Sequence, residues 1–284
     1  MQDILSVALR ALSFIFLLQA AGVTLFVAIF GRHLSSSQHL IRRLGGLSAL
    51  LGIACVAGHF VLEAARMAGE MAGAMDASLQ KTVLHSPNGV ALALRVLGLS
   101  IVAVGLRGKG ELALTASVVG ATIATFAFTV TGHTAIHPER WILNVLLVVH
   151  LLIVAFWFGA LLPLYVVSVR ETSAGTAKIV DLFSSVASWL VPGILLAGLA
   201  LTAFLVPSLS VFGQPYGELL IAKFVGFVLL MGLAALNKWR LGPAIARGES
   251  PALPAFRRSV ATEYVLIFGV LTATAIMTTF FSPE

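Results

Sequence analysis

Residues 141–164 read WILNVLLVVHLLIVAFWFGALLPL. The stretch has no charged side chain, and only Asn144 and His150 interrupt its apolar character. A membrane span needs about 20 apolar residues. This run therefore reads as a span, 142–168, with Trp141 as an interface anchor. At a rise of 1.5 Å per residue, His150 lies about 13 Å below Trp141. The hydrocarbon core is about 30 Å thick, so His150 falls near its middle. An imidazole at that depth needs a partner, because an unsatisfied polar group in hydrocarbon is costly.

The rest of the chain agrees. Of its 284 residues, 59% are hydrophobic and 11% charged, and the mean hydropathy is +1.01. A soluble domain carries about 25% charged residues, so this surface is not covered for water. Eight apolar runs are long enough to span: 4–30, 44–63, 88–106, 111–131, 142–168, 182–206, 218–236 and 261–281. The first exceeds a signal-peptide core of about 7–15 residues and has no clear basic leader or cleavage site, so it reads as a mature helix. The expected fold is an all-α integral membrane protein of eight helices.

Eight spans put both ends of the chain on one side. One set of loops holds Arg32, Arg42, Arg43, Arg107, Lys109, Arg170, Lys178, Lys238, Arg240, Arg247, Arg257 and Arg258, and the other only Arg66, Lys81 and Arg140. The positive-inside rule makes the first set cytoplasmic and both termini periplasmic, in the inner membrane of a Gram-negative cell. The net charge of +6 is thus spread between apolar segments and does not mark a nucleic-acid surface. His33 and His39 fall inside, while His59, His85, His133, His137 and His150 fall on the outer half.

The outer half also holds residues 55–75, CVAGHFVLEAARMAGEMAGAM, in which every fourth residue is a metal ligand: Cys55, His59, Glu63, Met67, Met71, Met75. A four-residue step overshoots the 3.6-residue turn by about 40°, so the six cannot line one straight face. Cys55, His59 and Glu63 can share one; the three Met form a separate group, suited equally to copper capture or to an interfacial helix resting on the bilayer lipids. Gly58-His59 and Gly132-His133 repeat the same pair at two outward helix ends, where Gly allows close helix approach. His133 and His137 share a face if the helix continues that far. His85 precedes a Pro87-Asn88-Gly89 turn on the same surface. Thioether, thiolate and imidazole favour copper over hard cations.

Two echoes divide the chain. PNGVALALR (87–95) parallels PYGELLIAK (215–223), and SFIFLLQAAG (13–22) parallels HLLIVAFWFG (150–159). They suggest two parallel four-helix halves, 1–131 and 132–284, within one membrane domain. Arg95 and Lys223, which close the first echo, read as side chains snorkelling to the outer interface, pairing with Glu218 or lipid phosphate. No phosphate-binding loop, GxSxG nucleophile or CxxC pair is present, and the single Cys55 excludes an internal disulfide.

TGHTAIHPERW followed by HLLIVAFWFGALLPL resembles the copper resistance protein D (CopD/PcoD) family of bacterial inner-membrane proteins. PYGELLIAKFVGFVLLMGLAALNKWRLGPA and FRRSVATEYVLIFGVL resemble it too, and Gly58-His59 and the turn at Pro87 fit its N-terminal half. The resemblance implies an eight-helix protein that takes up copper, with a periplasmic CopC-type copper-binding protein as partner. Its ligands carry over to His59, His133, His137 and His150. In span six, LVPGILLAGLAL lacks the Thr-Gly step expected there and has Ala197-Gly198 instead.

Three functions remain in view. One is a permease passing copper from Met67, Met71, Met75 and His85 to His59, His133 and His137, then to His150. A second is a haem b electron carrier, His59 pairing with His133 or His150 on the iron. A third is a metal-sensing partner that moves nothing.

Overall fold

The computed structural model describes residues 2–206 and 208–281. Every regular element among them is helical. In chain order these are α1 (Gln2–Phe30), α2 (Gln38–Ala68), α3 (Ala77–Leu84), α4 (Pro87–Gly105), α5 (Glu111–Phe126), α6 (His133–Ile136) and α7 (Arg140–Arg170), followed by α8 (Ser173–Leu190), α9 (Pro192–Leu205), α10 (Pro215–Leu236), α11 (Gly242–Ala246) and α12 (Ala252–Phe280). Eight stretches are long and apolar enough to cross a membrane, with α8–α9 forming the sixth and α10–α11 the seventh. The protein is an all-α multi-pass membrane protein.

The eight expected spans are all present, with different ends. The sixth begins at Ser173 rather than 182, and the eighth at Ala252 rather than 261. Polar side chains break the apolar run near their starts, Ser173, Thr176 and Lys178 in one and Arg257, Arg258 and Ser259 in the other, so hydropathy missed them, but local bonds still make them helical. Thr172 Oγ1 caps α8 by accepting from Gly175 N–H (3.1 Å), and Arg257 of α12 donates from Nε to Ser168 Oγ (3.1 Å). Span six breaks between Leu190 and Pro192, because proline cannot donate to the helix ladder. The break therefore comes from Pro192, one to two turns before the place where the Thr-Gly step was expected.

Association of helices inside a membrane rests on close packing, since lipid is as apolar as leucine. The central helix is α1, whose most apolar window is 67% buried, against 6% for α10 at the lipid-facing edge. α1 packs on α2, α7, α5 and α12. It meets α7 backbone to backbone at Gly22 and Gly159, the last residues of one of the two sequence echoes. Gln19 Nε2 donates to the Gly159 carbonyl beside that contact (3.0 Å).

The two faces of the bundle differ. On the basic face, Arg42 Nε donates to the Leu106 carbonyl (2.9 Å), and the Glu171 carboxylate accepts from Ser35, Ser36 and Ser37. These bonds tie the start of α2 to the α4–α5 loop and the α1–α2 loop to the α7–α8 loop. On the other face, Arg10 donates to the Thr278 carbonyl (2.6 Å) and Thr279 Oγ1 (3.0 Å), so the two described ends of the chain lie together. His59 and His133 are on this second face, the histidine face below.

Candidate metal and cofactor site

α2, α4, α7, α9, α10 and α12 enclose a cavity of about 730 Å³ with α1 along one wall. It reaches the histidine face at Thr131, Gly132 and His133, and its depth is marked by Trp157, Leu230 and Ile267. Most of the lining is apolar, but His59, His150, Glu63, Arg10, Arg95 and Lys223 all border it.

His150 comes from the middle of α7. Its Nδ1 lies 3.1 Å from the Ile194 carbonyl, in the first turn of α9 after the Pro192 break. A carbonyl partner makes Nδ1 the protonated nitrogen and leaves the Nε2 lone pair for a ligand, the usual arrangement of a metal-binding histidine. His150 sits beside Gly198, where an added Cβ would stand 3.6 Å from its ring, an ordinary van der Waals distance.

His59 comes from α2, and its Nε2 stands 3.5 Å from Glu63 Oε1 one turn on. That nitrogen is buried and makes no hydrogen bond. Arg66 holds the same Glu63 oxygen at 3.3 Å. The sequence reading of a His59–Glu63 face is thus realised, but Cys55 is half-buried outside the cavity lining. His133 begins α6 and is exposed at the cavity mouth.

The remaining expected ligands lie elsewhere. α6 ends at Ile136, so His133 and His137 do not continue on one helix face. His137 Nδ1 instead accepts from the Glu139 N–H (3.0 Å), and its ring stands edge-on to Phe204. His85 closes α3, with Nδ1 2.7 Å from the Lys81 carbonyl, and is exposed. Met67 ends α2, and Met71 and Met75 sit on a short 3-10 turn; all three are exposed and outside the cavity. Beside them Asp76 caps α3, accepting from Ser78 N–H (2.8 Å) and Leu79 N–H (3.2 Å). The Ser78 hydroxyl and these two amides hold its carboxyl below the usual range. Among the described residues, no three His, Cys, Asp or Glu side chains converge as a metal cluster.

Arg95 and Lys223 do not snorkel to lipid. Both turn inward to the cavity, and Arg95 lies over the Phe128 ring, 4.7 Å from its centroid. Among the described residues no carboxylate pairs with Arg10, Arg95 or Lys223. Among the described residues, the cavity lining therefore carries more positive than negative side chains. The sequence marks Arg95 and Lys223 as a pair, since both PxG echoes close on a cation at the same register, but the snorkelling expected of them is not what the structure shows.

A smaller cavity of about 260 Å³ lies towards the basic face, bordered by Ser184, Ser188, Met231, Asn237, Lys238 and Glu263. Trp157 lines both cavities and stands edge-on to Phe227 with ring centroids 6.2 Å apart. Among the described residues Trp157 is the one side chain common to both linings.

The family profile described as copper resistance protein D matches residues 177–277, and that of the copper resistance protein D-like N-terminal domain matches residues 1–139. A copper resistance protein D of Pseudomonas syringae pv. tomato is 29% identical over 300 aligned positions, covering 95% of this chain and 96% of that protein. No solved structure matches the chain.

Proposed function

The chain belongs to the copper resistance protein D family of multi-pass membrane proteins, and on that premise we propose that it receives copper on the histidine face and takes it inward through the large cavity. One observation carries this reading: His133, His59 and His150, from three different helices, border the same cavity, His133 at its exposed mouth and the other two inside. His133 is the exposed first contact. His59 offers an unbonded Nε2, and His150 a lone pair fixed by the Ile194 carbonyl. Neutral imidazoles hand on a soft cation without burying further charge. The basic loops orient the histidine face to the periplasm and the protein to the bacterial inner membrane. A soluble CopC-type copper carrier is then the partner that loads His133. The test is copper accumulation in cells: His59→Ala and His150→Ala abolish it, and unchanged accumulation at normal expression sinks the reading.

The excess of cations favours a second reading, haem b in the same cavity. A volume of about 730 Å³ falls within the usual range for a cofactor pocket. His59 and His150 would hold the iron, and Arg10, Arg95 and Lys223 would balance the propionates. Bound haem would supply one-electron chemistry, suited to copper redox on that face. A visible spectrum of the purified protein separates the two: a sharp haem band supports the second reading, and colourless protein carrying copper the first.

A further inference from the structure

Glu263 lies on α12 and is 2% exposed. Eleven residues separate it from Ala252, which places it about 16 Å along the helix from the basic end. Its two oxygens take one N–H each: Trp157 Nε1 donates to Oε2 (3.3 Å) and Asn237 Nδ2 to Oε1 (2.5 Å). Among the described residues no Lys, Arg or His comes within ion-pair distance of it. A carboxylate inside a membrane without a counter-ion is costly, so the site is short of one positive charge.

Asn237 shows how that charge is accommodated. The residue is 8% exposed, and its Oδ1 is buried with no hydrogen-bond partner. Which end of an amide is oxygen follows from the bonding network around it. With the amide turned over, Oδ1 accepts a bond from a protonated Glu263 Oε1, and the orphaned oxygen is satisfied. The same pair therefore serves both protonation states by rotation of one side chain. Asn237 opens the π-helical turn Asn237–Leu241, a departure from α geometry that recurs at functional sites.

The smaller cavity supplies the route. It borders Glu263 and Asn237 at one end and the exposed Lys238 and Trp239 at the basic face. Besides Glu263 the only charged side chain in its lining is Lys238, whose Nζ donates to Ser188 Oγ (2.6 Å). The other walls offer Trp157 from α7, Ser184 and Ser188 from α8 and Met231 from α10. α1 also packs on α12, but its Arg10 lies at Thr278, about four turns away. With one carboxylate and one thioether, the lining lacks the ligands of a metal centre.

We propose that Glu263 is a proton-binding site served from the basic face through the smaller cavity, with Trp157 linking its state to the large cavity. A proton from water in the smaller cavity binds Oε1. The Asn237 N–H bond to that oxygen is lost, and an O–H bond to Asn237 Oδ1 replaces it. The carboxyl becomes neutral, and Oε2 keeps the Trp157 N–H.

Infrared difference spectra of the full chain in lipid nanodiscs, recorded between about pH 4 and 10, test this. The expected result is a carboxylic C=O band that appears on acidification, shifts in D₂O and is absent from Glu263→Gln. In Trp157→Phe the band moves to higher frequency, because the carbonyl oxygen has lost its donor. Should Glu263→Gln fail to fold, the Trp157→Phe shift carries the test alone. A band that survives in Glu263→Gln, a frequency unmoved in Trp157→Phe, or no titrating band at all overturns the proposal.

Discussion

Gly22 of α1 and Gly159 of α7 are in backbone contact: a Cβ on Gly22 would stand 1.8 Å from the Ala155 carbonyl oxygen and 2.6 Å from the Gly159 Cα. No side chain at either position can give way, because the obstruction is main chain. This contact sets the distance between the central helix and the helix that carries His150 and Trp157. Gly159→Ala is therefore expected to destabilise the bundle by about 3 kcal/mol, the upper range of overpacking. Gly269→Ala is the control, since nothing lies within 4 Å of its Cβ, and it gains helix propensity. Unfolding of both variants in detergent measures the contrast.

Glu171 predicts an acid limit to stability. Its carboxylate accepts from the backbone N–H of Ser35 (3.1 Å), Ser36 (2.9 Å) and Ser37 (2.9 Å), and from the hydroxyls of Ser35 (2.5 Å) and Ser37 (2.6 Å). Burial pushes its pKa up, but these bonds outweigh it and hold the group at about 2, against an ordinary value of 4.5. A lowered folded pKa means that the unfolded chain binds more protons, so stability rises with pH. The contribution is complete above pH 4.5 and disappears as pH falls through 2. Glu171→Gln should melt lower than the parent at neutral pH, and the gap should close towards pH 2. Thermal melts across that window read it directly.

The Met group makes a different prediction. Met67, Met71 and Met75 are 58%, 42% and 88% exposed and do not border the cavity. Exposed substitutions away from a packed site change folding stability by only about 0.5 kcal/mol, so the triple variant should fold and its transport can be read. Replacing all three by Ala should leave copper accumulation close to that of the parent, where His59→Ala abolishes it. A larger loss would make the turn at Met71–Met75 the point of capture.

The spans were legible because each needs only a run of apolar residues, a property of local composition. His59 with Glu63 was legible for a similar reason, since a four-residue spacing on one helix decides it. The inward turn of Arg95 and Lys223 was not, because the sequence does not say which side of α4 or α10 faces lipid. The register shared by the two PxG echoes marked them as a pair, while hydropathy alone suggested the interface. Glu263 was missed for another reason. An expected span starting at 261 puts it at the membrane edge, whereas α12 begins at Ala252 and carries it well inside. A lone carboxylate in ATEYVLIFGVL is the signal that could have singled it out.

Arg95 supplies the sharpest test between the two readings of the cavity. Its guanidinium lies over Phe128 with no carboxylate partner among the described residues, and Arg10 and Lys223 border the same space. Two unit charges about 10 Å apart at an effective dielectric of 20 interact by about 1.7 kcal/mol, more than a factor of ten in affinity. If copper enters as a bare cation, Arg95 repels it. Arg95→Gln should then strengthen copper binding to the purified protein by roughly tenfold, with His150→Ala removing the gain. If the cavity holds haem, the same guanidinium attracts the propionates, and Arg95→Gln should reduce the haem retained on purification. One substitution thus moves the two readings in opposite directions, and copper titration beside a visible spectrum of the same sample records which of them the charge serves.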